Sequence, residues 1–134
     1  MTKRSDAEPF EGFDLIHSYS RQQAIEDGVL VDVTATAREA GFRYPVALTA
    51  TVFGAYVEVP PGVSGQDAAG RLWDLLWMLR HAIRGDSEGG PVILFQVLVR
   101  NNEASPPRLV TLKSVCGPGD DAEPVITIML PDED

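Results

Sequence analysis

The sequence predicts an α+β domain whose N-terminal helices pack on one face of a C-terminal, three-stranded antiparallel meander. Two observations lead to this class. Apolar residues follow a helical spacing before residue 90, whereas a two-residue alternation governs the chain after it. The helical segments also precede the strands without βαβ alternation, which is typical of α+β domains. The 134 residues are expected to form a single domain, 1–134.

The N-terminal part begins with a polar stretch and a capped helix. Residues 1–9 have no periodicity and are expected to be a flexible tail. Ser20 starts the pattern S-R-Q-Q, a capping box in which the hydroxyl and a glutamine amide satisfy free backbone N–H groups. We expect a helix from Ser20 to Gly28, because glycine tolerates the left-handed conformation that ends a helix.

Three short segments come next. The β-branched run 29–33 is predicted to be extended. A second helix is expected between Thr34 as its cap and Gly41 as its stop. Segment 46–57 carries a helical stripe but is rich in valine and threonine, so a third helix that starts at Pro45 and a strand are both open.

The strongest predicted helix spans 66–84. Its apolar residues cover a wide arc, which indicates a central helix packed on two neighbours. Trp73 and Trp77 lie four residues apart and are expected to belong to the core; removing the Trp73 ring should then cost about 3–5 kcal/mol. Exposed tryptophan is typical of interface anchors, so Trp77 is also a candidate partner-binding residue.

The last third of the chain supplies the meander. Its predicted strands are 91–100, 109–115 and 125–130, separated by the turn-forming stretches NNEASPPR and GPGDDAEP. The strand 125–130 is expected at the sheet edge, where free N–H and C=O groups invite pairing with a second copy. We expect a homodimer to form through another surface, such as the Trp77 side.

Negative charge is concentrated at the C-terminal end. Residues 114–134 contain two acidic clusters and no lysine or arginine, in a chain of net charge −9. These acids are predicted to bind a basic protein surface, with solubility alone as the alternative. The candidate partner-binding carboxylates are Asp120, Asp121, Glu123, Asp132, Glu133 and Asp134. If the strand 125–130 lies at the sheet edge, Asp132, Glu133 and Asp134 are also expected to act as charged gatekeepers against pairing with a second copy.

Charge and composition exclude several classes. A net charge of −9 opposes direct binding to nucleic acid or to an anionic membrane, because that affinity comes from Lys and Arg. No apolar run approaches the roughly 18 residues of a transmembrane helix, and the N-terminus lacks the apolar core of a secretory signal. Cys116 is the single cysteine, which fits a reducing compartment. We therefore expect a cytoplasmic protein.

No motif in the chain is specific for catalysis or for a cofactor. GPGD at 117–120 lacks the Lys-Ser/Thr of a nucleotide loop and is typical of a turn. The carboxylates of 120–123 miss the spacing of a calcium loop. His17 and His81 have no positioned nucleophile or third group. We expect a protein that is not an enzyme, with no catalytic residue, no metal and no cofactor.

Three segments resemble an uncharacterised family of small acidic bacterial proteins carried on plasmids, phages and other integrative elements. They are FDLIHSYSRQQAIEDGVLVDV (13–33), GRLWDLLWM (70–78) and CGPGDDAEPVITIMLPDED (116–134). The stretches 43–69 and 85–108 match that pattern least. The family has no established chemistry to transfer, so the resemblance assigns no catalytic residue. It implies a context in which small acidic proteins neutralise host defences, as anti-CRISPR and anti-restriction proteins do.

Three functional hypotheses follow. The leading one is a non-enzymatic protein-binding module of a mobile genetic element, an acidic DNA mimic of the anti-CRISPR type that binds a CRISPR effector subunit. The second is an accessory protein that binds a replication or transfer factor. The third is a metal-dependent hydrolase that uses His17 and the carboxylates of 120–123. Binding that weakens with salt, and that is lost when the acids of 120–123 are reversed to lysine, would favour the first.

Overall fold

The computed structural model describes residues 19–86 and 88–133, and these form a five-stranded mixed sheet with several helices. The strands are β1 Leu30–Asp32, β2 Val46–Thr49, β3 Val92–Val99, β4 Arg108–Pro118 and β5 Pro124–Met129. The helices are α1 Arg21–Glu26, α2 Thr34–Glu39, α3 Ala50–Val52 and α4 Ala68–Gly85, and a π-helical turn, Phe53–Val57, continues α3. The α+β class is confirmed.

The sheet is larger than the predicted three-stranded meander. Its order is β1-β2-β5-β4-β3, with antiparallel pairs β3–β4 and β4–β5. On its other side, β5 pairs in parallel with β2, where Val46 lies opposite Ile126, and β1 pairs antiparallel with β2. The prediction that β5 lies at the sheet edge is therefore wrong, because the edge strands are β1 and β3.

The interior position of β5 follows from its side chains, which are buried on both faces of the sheet. Val125 and Met129 point to one face and Ile126 and Ile128 to the other, and all four are buried. A strand covered on both faces is a nearly continuous apolar run, as P-V-I-T-I-M is. The sequence alone did not show its parallel partner, because β2 lies far away along the chain.

The first helix begins at the predicted cap, where only the serine half of the capping box forms among the described residues. Ser20 is the N-cap of α1, and its hydroxyl accepts the backbone N–H of Gln23 at 3.0 Å. Gly28 follows the helix in the left-handed region, with φ of +79°. The segment after it contains β1, so the extended conformation predicted for 29–33 is confirmed for residues 30–32.

The predicted cap of the second helix is wrong. Thr34 is the first residue of α2, and the N-cap Val33 makes no side-chain capping bond. The Thr34 hydroxyl donates to Asp32 Oδ1 at 2.5 Å and accepts the N–H of Val46 at 3.1 Å. This side chain therefore ties α2 to β1 and β2 instead of capping the helix.

Segment 46–57 divides between the two conformations left open for it. Val46–Thr49 forms β2, whose first three residues are buried, and the chain then turns into α3 and the π-helical turn. Thr49 makes the transition because its hydroxyl accepts the N–H of Val52 at 3.3 Å, which caps the helix.

The long helix α4 covers the inner face of the sheet. It begins after Asp67, whose carboxylate accepts the N–H of Gly70 at 2.6 Å, and its bounds agree with the predicted 66–84 to within two residues. A leucine stripe is buried against sheet residues such as Phe95 and Leu112. The stripe consists of Leu72, Leu75, Leu76 and Leu79.

The sequence predicted that the helices lie on one face of the sheet, but they lie on both faces. Arg21 at the start of α1 donates to Thr127 Oγ1 at 2.8 Å and to the carbonyl of Ile126 at 2.9 Å. The side chain of Thr127 points away from α4, because its neighbours in β5 point toward the inner core. The α1 helix therefore lies on the outer face beside the start of β5, where Val125 is buried.

Candidate protein-binding surface

Two tryptophans lie on the solvent side of α4. Trp73 is 37% exposed and Trp77 is 48% exposed, so the expectation that both belong to the core is wrong. Their positions on the helix lie away from the leucine stripe that faces the sheet. The rings stack with centroids 6.3 Å apart and planes 13° from parallel. This stack leaves two broad apolar faces in contact with water.

Arg80 extends the stack. Its Cζ atom lies 5.6 Å from the centroid of the Trp77 ring, within the range of a cation–π contact. Residues three apart on a helix are neighbours on its surface, which explains the approach. We name Trp73, Trp77 and Arg80 together the aromatic patch.

Gly41, in the turn after α2, makes room for this arginine. Gly41 has φ of +101°, and a Cβ built there would lie 2.7 Å from Arg80 Nε. The Arg80 side chain is therefore held between the Trp77 ring and the turn after α2. This glycine does more than end a helix, since any side chain there would displace the guanidinium.

Further cations and a small pocket lie on the segments that carry the aromatic patch and Gly41. Arg84 follows Arg80 by one helical turn and is exposed, and Arg38 and Arg43 are exposed on either side of Gly41 in the sequence. A shallow pocket of about 190 Å³ lies beyond the C-terminal end of this flank. Its lining includes Tyr44, Ile83 and the half-buried Cys116. Exposed arginines thus lie close to the aromatic patch along the chain, together with the exposed acids Glu39 and Asp74.

The first acidic cluster, in the turn between β4 and β5, is partly committed to the chain's own backbone. Asp120 accepts the N–H of Arg21 at 2.7 Å and of Gln22 at 3.0 Å, so it caps α1 from a distant turn. The hydrogen bonds from Gln22 and Arg21 hold the pKa of Asp120 below its ordinary value. Glu123 accepts the N–H of Asp121 at 3.0 Å, whereas the Asp121 carboxylate is exposed.

A partly buried cation lies beside this cluster. Burial lowers the pKa of Arg21, and the nearby carboxylates of Asp32, Asp120 and Glu123 oppose that shift. The same residues line a groove of about 180 Å³ between α1 and the end of the sheet. The turn is therefore less negative than its sequence indicates, because Arg21 offsets part of its charge.

The second acidic cluster also has a structural member. Glu133 accepts the N–H of Leu130 at 2.8 Å and the hydroxyl of Thr49 at 2.9 Å, and Lys113 donates to its carbonyl at 2.6 Å. Asp132 is exposed and lines a cleft of about 690 Å³. Asp134 lies outside the described residues.

The two acidic clusters do not form one surface. The first cluster precedes β5 and the second follows it. The length of β5, at about 3.3 Å per residue, therefore separates them by roughly 20 Å. Any partner that contacts both clusters must span the length of this strand. The sequence could not show this separation, since it depends on the strand between the clusters being fully extended.

One polar network was not predicted. Arg71 is buried, and it donates from Nε to the carbonyl of Tyr56 at 3.1 Å, from Nη1 to that of Arg100 at 2.9 Å and from Nη2 to Asn101 Oδ1 at 2.6 Å. Burial lowers the pKa of Arg71. The sequence signal that could have indicated this network is the position of Arg71 on the leucine side of α4. The network holds the loop after β3 in place. Two of its members, Tyr56 and Asn101, line the cleft of about 690 Å³ that Asp132 also lines.

Other sequence candidates are dispersed. Within residues 19–86 and 88–133, no group of three His, Cys, Asp or Glu side chains could hold a metal ion. His81 is exposed on α4, far along the chain from the acidic turn, and His17 lies outside the described residues. In the part of the chain that the structure describes, no helix has the length and apolar character needed to cross a membrane.

The fold and its surfaces define a small α+β protein built on a mixed five-stranded sheet. This chain belongs to a family of unknown function (DUF6573), whose model matches residues 7–134. The match supports the resemblance to an uncharacterised family and says nothing about mobile elements or CRISPR systems. No curated protein and no solved structure matches the chain.

Proposed function

We propose that this chain is a non-enzymatic protein-binding module whose principal contact surface is the aromatic patch. The observation that carries the proposal is the exposure of two stacked indoles on a helix that buries four leucines on its other side. Tryptophan and arginine are among the residues most enriched at interface hot spots, and the indole contributes a large desolvated area with only two rotatable bonds. Neither ring belongs to the hydrophobic core cluster of the described residues.

The rigidity of the aromatic patch supports the same role. Trp77 is held between the Trp73 ring and the Arg80 guanidinium, and Arg80 is held against Gly41. A contact surface that is already ordered loses less conformational entropy when a partner binds. The patch can therefore contribute more of its contact energy to affinity than flexible side chains would.

The surroundings of the patch indicate the chemistry of its partner. Arg84 is exposed one helical turn beyond Arg80 on the same side of α4, so an acidic segment would gain electrostatic attraction at that end of the patch. The indole faces require apolar or proline side chains opposite them. The proposed partner thus presents an apolar and acidic surface, which differs from the basic partner that the acidic clusters would bind.

A second candidate function uses the acidic clusters. Asp121 and Asp132 are exposed, and their carboxylates accept no hydrogen bond from the described residues. They could face a basic surface of a nucleic-acid-handling complex, as an anti-CRISPR protein or another inhibitor of host defence would. The net charge of −9 supports this candidate, and the partner's identity as a CRISPR effector subunit or a replication factor depends on the resemblance alone.

The two candidates are separated by paired variants of the full chain. The immobilised protein is used to capture partners from a bacterial host lysate, and the affinity of each captured partner is measured by calorimetry at low and high salt. The patch variant is Trp73→Ala with Trp77→Ala. The charge variant is Asp121→Lys with Asp132→Lys, which spares the structural carboxylates of Asp120 and Glu133. Leu109→Ala, on the opposite sheet face, is the matched control for a lost exposed apolar side chain.

Binding through the aromatic patch predicts a loss of affinity of about thirtyfold or more in the patch variant, since a hot-spot residue contributes about 2 kcal/mol or more. The charge variant and the Leu109→Ala control should then bind as the natural chain does. Loss of binding in the charge variant alone, with strong weakening by salt, would favour the acidic inhibitor. Equal affinity in all variants would remove both candidates.

A further inference from the structure

The edge of β3 that no strand of residues 19–86 and 88–133 pairs with, here called the free edge, lacks the features that protect strand edges. Segment Val92–Val99, with sequence VILFQVLV, contains no charge, proline or glycine over eight residues, and its register with β4 is regular. Natural edge strands are usually short, charged or bulged, since unpaired N–H and C=O groups otherwise recruit another strand. The opposite edge follows that rule, because β1 has only three residues and ends at Asp32.

The register identifies the backbone groups on this edge. Pro91 lies opposite Cys116 and accepts its N–H at 2.8 Å, so this is a hydrogen-bonded pair of the antiparallel ladder. Such pairs recur at every second residue, which directs the N–H and C=O groups of residues 93, 95, 97 and 99 toward β4. The backbone groups of Val92, Leu94, Gln96 and Leu98 therefore point away from the sheet.

The same residues also leave apolar side chains in water. Leu94 is 60% exposed and Leu98 is 64% exposed on the outer face, and Leu109 of β4, opposite Leu98, is 59% exposed. The inner face of β3 differs, because Phe95 and Val97 are buried under α4. This edge thus combines free hydrogen-bonding groups with an uncovered apolar face.

We propose that the free edge of β3 pairs antiparallel with β3 of a second copy, forming a continuous ten-stranded sheet across a two-fold axis. An axis at Phe95 places Val92 opposite Leu98 of the second copy and Leu94 opposite Gln96. All four outward-pointing residues then lie in hydrogen-bonded pairs, which gives about eight hydrogen bonds across the interface. Shifting the axis by one residue to either side leaves outward groups without a partner.

The side chains support a second copy of this chain as the occupant. With the axis at Phe95, Leu109 and Leu98 of one copy continue into Val92 and Val115 of the other, because Val92 lies opposite Val115 in the β3–β4 register. This forms an apolar row across four strands, and the two-fold axis generates an identical second row. Such self-complementarity is the property that an isologous interface requires.

The charge distribution permits this association. The acidic turn 120–123 lies between β4 and β5, and Asp32 is on the far edge strand, so neither lies in the pairing strand itself. Each copy still carries a net charge of −9, and the resulting repulsion is screened by salt. The dimer should therefore strengthen or stay constant as salt rises, the reverse of binding through the acidic clusters.

The first test is the molar mass of the full chain in solution. Sedimentation equilibrium over about a hundredfold range of concentration should show a reversible rise from 14.5 kDa toward twice that mass. Gln96→Pro should hold the mass at 14.5 kDa, because the Gln96 N–H points outward and its loss breaks no hydrogen bond within the described part of the chain. Gln96→Ala is the matched control and should dimerise, since it keeps the backbone donor.

A second measurement does not depend on the proline variant folding. Amide hydrogen exchange of the natural chain should show residues 92, 94, 96 and 98 protected at high concentration and exchanging at least tenfold faster after dilution. Residues 93, 95, 97 and 99 should stay protected at both concentrations, because they bond to β4. This alternation within one strand is the signature of pairing at the free edge.

Three results would overturn the proposal. One is a mass of 14.5 kDa at every concentration. Another is a dimer that survives Gln96→Pro in a folded protein but is lost in Trp77→Ala, which would move the interface to the aromatic patch. The third is protection of the 92, 94, 96 and 98 amides in the monomer, which would mean that another part of the same chain covers this edge.

Discussion

At the scale of single residues, several acids prove to be structural where the sequence marked them as partner-binding. Asp120 caps α1 across a long sequence separation, and Glu133 binds the backbone of Leu130 and the hydroxyl of Thr49. A carboxylate that accepts backbone N–H groups is less available to a partner, because its lone pairs are already used. Asp121 and Asp132 are the described members that present free carboxylates.

The capping role of Asp120 predicts a pH-dependent contribution to stability. Its pKa is depressed in the folded protein, so the contribution is present above the pKa of the unfolded chain, about 3.9, and is lost as pH falls through the lower folded value. Asp120→Asn should therefore melt below the natural chain at pH 7, and the difference should shrink at acidic pH. Thermal unfolding across this pH range is the measurement, with Asp121→Asn as the control that should show no such trend.

The buried guanidinium of Arg71 predicts a larger effect. Arg71→Met should lower the free energy of unfolding by about 3 kcal/mol, because the carbonyls of Tyr56 and Arg100 lose their donor in a partly buried setting. Arg71→Lys should also destabilise, since one ammonium cannot reach the same three groups. Denaturant unfolding measures both changes. Arg80→Met, which removes a half-buried guanidinium that donates to no buried carbonyl among the described residues, should cost about 1 kcal/mol or less.

At the scale of elements, α4 serves two surfaces with one helix. Its leucine stripe closes the core over β3, β4 and β5, and its opposite side presents the aromatic patch. The wide apolar arc in the sequence indicated a helix packed on two neighbours, and α4 does pack on the sheet and on the π-helical turn, but Trp73 and Trp77 remain exposed. The apolar width in excess of the core is therefore the part of α4 available to a partner.

This division predicts unequal costs for two truncations on α4. Leu76→Ala should lower the free energy of unfolding by about 2–5 kcal/mol, because Leu76 is fully buried and leaves a cavity. Trp73→Ala should cost about 1 kcal/mol, well below the value expected for a core ring. Chemical denaturation of both variants checks the order. If Trp73→Ala lowered the free energy of unfolding more than Leu76→Ala does, the Trp73 ring would have to be part of the core.

At the scale of the whole molecule, the C-terminal residues connect the N-terminal strands β1 and β2 to the strands β3, β4 and β5. The parallel pair of β2 and β5 joins the N-terminal strands to the meander, and Glu133 bonds to Thr49 at the end of β2. Lys113 in β4 donates to the Glu133 carbonyl from the other side. The last residues were expected to be solvated gatekeepers of an edge strand, but β5 has neighbours on both sides.

Removing this contact should destabilise the fold as a unit. Glu133→Ala is expected to lower the free energy of unfolding by about 1–2 kcal/mol, because the Leu130 N–H and the Thr49 hydroxyl lose their acceptor. Asp132→Ala, at the neighbouring exposed position, should stay within about 0.5 kcal/mol of the natural chain. Calorimetric melting of the two variants measures the difference. Equal melting temperatures would mean that Glu133 contributes nothing to the join.

The sequence by itself determined the elements whose causes are local. The Ser20 cap, the left-handed Gly28, the extent of α4 and the alternation in β3 follow from interactions between residues a few positions apart. Even the division of 46–57 was present in the sequence as two competing patterns, although not its outcome.

Only the tertiary structure decided how these elements are joined and what they leave exposed. The parallel pairing of β2 with β5, the capping of α1 by Asp120 and the exposure of the Trp73–Trp77 stack each depend on segments that are distant in the chain. Residue spacing fixes which side chains share a face, but not which face another segment covers. For this reason the acidic clusters were visible at once, whereas the aromatic patch and the open edge of β3 emerged only when the chain was folded.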